Sequence, residues 1–393
     1  MTFESQRQLT LKNARAVLPD RIVDNCTIQI VDGRIARIES NGPTTANEAI
    51  DLQGAMLFPG FIDVHIHGGV GIDLNSADAL GLLRVSEFLA SKGVTGWLPT
   101  LVPGSPEQYE RAIAAIGEVM EQQSREAATG ARVLGAHYEG PFVSSEQCGA
   151  LHREHFRTFK NDGDLASLPT INRDGAVHMI TVAPEIDGGI ELIRELRQRG
   201  WVVSIGHTRA TPEILDAAKE AGARHMTHFM NAMSPLHHRA PGPVGWGLLN
   251  DDVSLDVIAD GIHLDPLMLK VLLRTVTTKR LALISDAIAA TGLGDGEYDV
   301  WGEKITVENG RTRNARGSIA GSVITMLDAV KTMLALGAAE CDVARMSSMN
   351  PARLLGIDQE YGSIEEGKRA FLVALSDGGD VHFTVANGAV ART

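Results

Sequence analysis

Residues Gly60–Gly69, GFIDVHIHGG, form an apolar run that ends in two histidines and two glycines. The run predicts a buried strand over Phe61–Ile66. His65 and His67 are two positions apart, so a strand projects both from one face. An apolar strand that ends in two imidazoles needs a polar destination for them, and the rest of the chain supplies one.

Downstream, short β-rich runs alternate with helical stretches. The candidate strands are FIDVHI (61–66), VTGWLPTL (94–101), RVLGAHYE (132–139), VHMITVAPE (177–185), WVVSIGHT (201–208), HMTHFMN (225–231), SLDVIAD (254–260) and LALISDA (281–287). Helix starts lie between them: Ser105-Pro106-Glu107, Thr211-Pro212-Glu213 and Asp265-Pro266 each set a capping residue before a proline at the first helical position. Eight strands alternating with helices predict a (β/α)8 barrel of the α/β class, expected over residues 59–358. A doubly wound open sheet is the competing layout, but no Gly-rich dinucleotide loop follows the first strand. The ends read differently, as short strands and turns, with Asp32-Gly33 and Asn387-Gly388 as turn signals. Residues 1–58 and 359–393 are expected to join in one small β-sandwich-like domain beside the barrel.

The chain has 393 residues, enough for one large core and a smaller unit. Its formal net charge of -13, without a basic run, argues against a nucleic-acid or anionic-membrane partner. An anionic small substrate would need local cations to offset that field. No apolar stretch approaches the roughly 20 residues that span a bilayer, and the polar start MTFESQRQLT lacks a signal core. Cys26, Cys148 and Cys341 are odd in number and far apart, which suits a reducing cytoplasm.

In a barrel, chemistry collects at the C-terminal ends of strands. The candidate strands end in His65 and His67, Glu139, His207, His228 and Asp286, and His263 lies just past the seventh. A lone strand-end histidine, or Glu139 alone, reads more readily as a hydrogen-bonded polar cap than as a ligand, whereas the paired His65 and His67 read either way. Their recurrence at one end of the inferred barrel points instead to a divalent metal site. Nitrogen and oxygen ligands without cysteine suit Zn²⁺, with Fe²⁺ or Mn²⁺ as alternatives. Such an ion activates water and polarises a carbonyl, and Asp286 is the candidate proton shuttle. Hydrolysis of an amide or imine follows as the reaction class.

These residues sit in a wider set of motifs: PGFIDVHIHG, EGPF (139–142), IGHT (205–208), THFMNAM (227–233), HHRAPGPVG (237–245), IADGIH (258–263), SDAIAATGLGDGEY (285–298) and GSIAGSVITM (317–326). The opening motif resembles the amidohydrolase superfamily, and the ordered set resembles its N-acetylglucosamine-6-phosphate deacetylases over nearly the whole chain. The resemblance implies that Glu139, His207 and His228 bind the shared metal. It implies that His65 and His67 match a pair that holds a second ion in some members, so one or two ions per subunit are expected. Asp286 matches the catalytic acid/base. Asn231 and Ala232 match sugar-phosphate contacts, Arg239 and His263 phosphate-side contacts, and Ile319, Ala320 and Gly321 a sugar-contacting stretch. Arg239 is also a forked, permanent cation suited to phosphate.

One loop departs from the pattern. Family members carry Gly-Ala-His or Gly-Thr-His after EGP, the histidine helping to polarise the acetyl carbonyl, whereas this chain reads CGALHREH (148–155). His152 comes one residue late; it is taken as the catalytic equivalent and, with Ala150, as a substrate contact. Leu151 is the other occupant of that position, and Cys148 is read as incidental. The expected activity is hydrolysis of the acetamide of N-acetylglucosamine 6-phosphate to glucosamine 6-phosphate and acetate, with a homodimer implied by the resemblance. The alternatives are another amidohydrolase acting on a different amide, or a non-catalytic scaffold of the same fold. Sites of the first kind often use a carboxylated lysine, and no lysine stands at a candidate strand end; a scaffold is expected to have lost ligands, and none is missing here.

Overall fold

The run that opens the barrel forms the strand Phe61–Ile66, buried at every residue. In the computed structural model, which describes residues 8–41, 49–125, 130–386 and 388–392, it pairs in parallel with Val94–Leu101. Residues 1–7 and Asn387, half of the second expected turn, lie outside the described residues. Parallel ladders continue in chain order through Gly135–Glu139, Val177–Val182, Val202–Ile205, His225–Met226, Ser254–Ile258 and Leu281–Ile284. Past the last strand, Asp286 N–H donates to the His65 carbonyl (2.9 Å) and His67 N–H to the Ala287 carbonyl (2.7 Å), which brings the eighth strand back to the first. The result is a nearly closed (β/α)8 barrel.

Helices begin where the proline signals place them, at Pro106–Arg125, Pro212–Glu220 and Pro266–Thr275. The Asp265 carboxylate accepts the Leu267 N–H at 2.7 Å, satisfying one orphan donor of its helix. Their apolar faces pack on the strands in one large core in which Trp97, Tyr109 and Tyr138 are fully buried.

Several strands are shorter than the sequence suggests. The fifth, sixth and eighth end at Ile205, Met226 and Ile284, before the histidines and aspartate expected to terminate them. The cause is in the backbone: His207, His228 and Asp286 have φ of 46°, 32° and 51°, left-handed values that no pleated strand accommodates.

Both chain ends enter one eight-stranded flanking sheet, in which Leu372–Leu375 from the tail runs antiparallel to Met56–Pro59 from the start. Asp32-Gly33 makes the expected tight hairpin, with both residues at positive φ (50° and 76°). This sheet has its own core of Leu11, Ile28, Ile30, Ile35, Leu57, Leu372 and Val385. An element absent from the sequence reading follows the eighth barrel strand, a three-stranded antiparallel insert of Gly296–Val300, Glu303–Glu308 and Arg311–Arg313. Its Val300, Ile305 and Val307 pack on Ala150, Ile288 and Ala320 beside the barrel mouth. No described helix is long and apolar enough to cross a membrane.

Gly68, next to His67, marks the tightest backbone approach at this end. A Cβ there would stand 2.2 Å from the Ile72 carbonyl oxygen and 2.9 Å from the Ala289 backbone nitrogen, and neither is a flexible side-chain end. Gly68→Ala is expected to lower stability by about 1–3 kcal/mol, read from urea unfolding; a wild-type midpoint would refute the tight approach.

Candidate metal centre and substrate cavity

Glu139, at the end of the third strand, is the hub. Its Oε1 lies 2.9 Å from His207 Nε2 and 3.0 Å from His228 Nε2, and these two imidazole nitrogens are 3.1 Å apart. Its Oε2 is 3.4 Å from His67 Nε2, which is 3.0 Å from His65 Nε2. Two potential ligand trios therefore share Glu139: one with His207 and His228, the other with His65 and His67. Asp286 closes the second side, its Oδ1 3.2 Å from His67 Nε2 and 3.4 Å from His65 Nε2. All six side chains are buried.

This donor set fits divalent cations. Ligand atoms about 2.0–2.1 Å from a tetrahedral zinc lie roughly 3.3 Å from one another, close to the 2.9–3.1 Å spacings around Glu139. Imidazole lone pairs that face each other also need positive charge between them. Burial would lower the basicity of His228, yet the hydrogen bond and charge of Glu139, with Asp286 and Asp256 behind, push it up to about 9. Burial likewise disfavours a charged Glu139, but the imidazoles of His65, His207 and His228 around it hold its carboxyl well below the usual range. Without an ion, the pocket binds a proton in its place.

The outer contacts set the imidazole tautomers. The Gln147 carbonyl accepts His207 Nδ1–H (2.7 Å) and the Thr100 carbonyl accepts His67 Nδ1–H (3.2 Å), which leaves each Nε2 lone pair for a ligand. Nδ1 of His65 and of His228 makes no hydrogen bond among the described residues. Position comes from below. The Asp256 carboxylate accepts the His228 backbone N–H and pairs with His225. Asp63 accepts Ser285 Oγ–H at 2.5 Å, bracing the junction between first and eighth strands. Burial pushes His137 down to about 3, so it stays neutral, donating from Nδ1 to the Val64 carbonyl and accepting from Thr181.

The centre opens into a cavity of about 320 Å³ lined by His67, Glu139, His207, His228 and Asp286 together with Ala150, Leu151, Asn231, Ala232, His263, Trp301, Ile319 and Gly321. His263 is aimed by Asp260, whose carboxylate accepts its Nδ1–H at 2.7 Å. Three expected residues are placed elsewhere. His152 is the N-cap of the turn Arg153–His155, with Nδ1 3.2 Å from Glu154 and Nε2 3.9 Å from Glu303. The one-residue offset gives the lining position to Leu151. Arg239 is exposed, its guanidinium 2.6 Å from His238 Nε2. Ala320 is buried behind the wall that its neighbours Ile319 and Gly321 line.

Asp63, His137 and Asp256 escaped the sequence reading, although strand alternation carries their signal. Asp63, His65 and His67 share a face, as do His137 and Glu139. Trp301 escaped because the insert that carries it was not expected.

A family model described as "Amidohydrolase family" matches residues 56–391. The chain is 35% identical over 388 residues to a Bacillus subtilis protein named N-acetylglucosamine-6-phosphate deacetylase, covering 98% of this chain and 97% of that protein. It is 36% identical over 371 residues to an N-acetylgalactosamine-6-phosphate deacetylase of Escherichia coli O157:H7, covering 94% and 95%. A solved mutant of N-acetyl-D-glucosamine-6-phosphate deacetylase from Mycobacterium smegmatis, in complex with N-acetyl-D-glucosamine-6-phosphate, superimposes with a TM-score of 0.88 at 30% identity, covering 99% of this chain and all of that one. The family match starts on Met56–Pro59, the flanking-sheet strand just before the barrel, and runs to the last strand of that sheet, so it takes in the candidate metal centre whole: the chain belongs to the amidohydrolase family.

Proposed function

We propose that this protein hydrolyses the acetamide of N-acetylglucosamine 6-phosphate to acetate and glucosamine 6-phosphate. The observation that carries this reading is the pair of ligand trios sharing Glu139, with Asp286 beside them, at the head of a cavity that also presents Asn231 and His263. The deacetylase relatives supply the substrate class.

Glu139, His207 and His228 would hold one Zn²⁺, and His65, His67 and Glu139 a second. When bound, such an ion acidifies water and draws electron density from a carbonyl oxygen. Asp286 takes the proton of the attacking water as the C–O bond forms, then delivers it to the amine nitrogen as the C–N bond breaks. Its backbone is fixed on both sides: Asp286 N–H donates to the His65 carbonyl (2.9 Å), and its own carbonyl accepts Ser322 N–H (2.7 Å). Asn231 and Ala232 hold the sugar, and His263, oriented by Asp260, meets the phosphate. Arg239 stands exposed on a loop with the exposed Leu236, outside its own cavity lining. We assign it to the phosphate of a neighbouring subunit across a homodimer interface. All three cysteines are unpaired, in keeping with the cytoplasm.

Purified protein loaded with Zn²⁺ should release acetate from N-acetylglucosamine 6-phosphate and far less from unphosphorylated N-acetylglucosamine; no acetate from metal-loaded protein refutes the substrate. The galactosamine epimer belongs in the same assay, because a relative of equal similarity carries that name. Asp286→Asn should cut kcat by about 10²–10⁴-fold while keeping metal and substrate binding, and near-normal turnover would sink the assignment. Metal analysis should find two ions per subunit, falling to one in a His65→Gln/His67→Gln variant and to none in Glu139→Gln. A metal must displace the proton that Glu139 holds on His228, whose pKa is about 9. Chelator competition should therefore show affinity rising between pH 6 and 9, by up to about tenfold per pH unit for each proton displaced; a flat profile would contradict the pairing.

A further inference from the structure

We infer that Trp301 sets the acyl-group specificity of this site, acting as an apolar stop that admits an acetyl group and turns away longer acyl chains. The inference rests on the proposed deacetylation.

Trp301 occupies the tight turn of the insert, between Gly296–Val300 and Glu303–Glu308, at φ 53° and next to Gly302 at 78°. A left-handed φ is unfavourable for so bulky a residue, and here it is held from two sides. The Asp73 carboxylate, on the short strand that pairs with Gly68–Gly69 directly after His67, accepts the Trp301 backbone N–H at 3.2 Å. The insert beneath is anchored by its own apolar cluster with Ala150 and Ala320.

The indole meets the His67 imidazole edge to face, with centroids 5.1 Å apart and planes at 85°. It lines the cavity and packs with the apolar group that includes Leu151, the residue standing where the family pattern has a histidine. Arg316, just after the insert, ties the two walls together by donating to the Ala150 carbonyl at 2.8 Å. The indole N–H makes no hydrogen bond among the described residues, so packing holds the ring.

An amide carbon carries three substituents. Its oxygen belongs at the cation-binding donors, and its nitrogen leads to the sugar and the polar contacts of Asn231 and His263. The alkyl group is left for an apolar surface beside the metal ligands, and Trp301 is the bulky apolar side chain seated on one of them. Each methylene added to the acyl chain then runs into a ring fixed by turn, cluster and imidazole.

The test is the kcat/KM of wild type, Trp301→Ala and Trp301→Phe for N-acetyl-, N-propionyl- and N-butyrylglucosamine 6-phosphate, with metal content measured on the same samples. Wild type should lose about tenfold or more for each added carbon. Trp301→Ala should raise the butyryl-to-acetyl ratio by about tenfold or more with metal retained, and Trp301→Phe should fall between. An unchanged ratio in metal-replete Trp301→Ala overturns the inference, and so does a flat wild-type profile, which needs no variant to fold. Calorimetric binding of the same series to Asp286→Asn gives a readout without turnover; equal affinity for acetyl and butyryl compounds would likewise overturn it. Wild type that cleaves none of the acyl sugars removes the proposed function and this inference with it, a result distinct from active enzyme with an unchanged ratio.

Discussion

A buried carboxylate shared by four imidazoles is the constraint on which the rest of this structure depends. Glu139 sits at the mouth of the barrel with His207 and His228 on one oxygen and His67 on the other, and His65 behind. An ionised carboxylate taken out of water is costly unless it is paired and hydrogen-bonded. The strands carrying its partners must therefore place nitrogen atoms around it to within a few tenths of an ångström. A cation held among these donors would satisfy that demand.

Regular strands alone do not deliver the side chains. His207, His228 and Asp286 leave the pleat into left-handed backbone conformations, which turn their side chains inward over the end of the barrel. Such conformations persist where the surroundings over-determine them. Asp256 holds the His228 backbone, and Asp63 locks Ser285 beside Asp286. Beneath them Thr227 meets both Thr181 and Ser204, at 2.7 and 2.6 Å, and joins three strands through buried hydroxyls. This polar layer is fully enclosed, so its members fix one another's positions.

The flanking sheet and the insert serve the centre from outside. Gly60 N–H donates to the Phe371 carbonyl at 2.8 Å, so the tail strand holds the entry to the strand that carries His65 and His67. The insert and the loop around Ala150 and Leu151 lie over the cavity as one packed unit; they decide which side chains line it and touch the ligand trios at two points, Trp301 on His67 and the Gln147 carbonyl on His207.

The barrel and the polar cluster at its mouth were legible because both rest on local rules. Buried strands alternating with helices announce the architecture, prolines behind capping residues mark the helix starts, and strand ends carry the chemistry in every barrel of this kind. His65, His67, Glu139, His207, His228 and Asp286 could be named from position along the chain alone. What escaped depends on long-range placement. A shift of one residue in the loop at 148–155 exchanges which side chain faces the cavity, and only packing against the insert shows that Leu151 lines it while His152 turns toward Glu154 and Glu303. Arg239 carries a phosphate-binding chemistry in its side chain, yet the path of its loop leaves it at the surface. Trp301 reaches His67 across more than two hundred residues of chain. The sequence by itself determined the fold class and which histidines and carboxylates gather at the barrel mouth, since periodicity and residue chemistry act locally; the shape of the cavity above them was decided only in the tertiary structure, where separate loops compete for the same space.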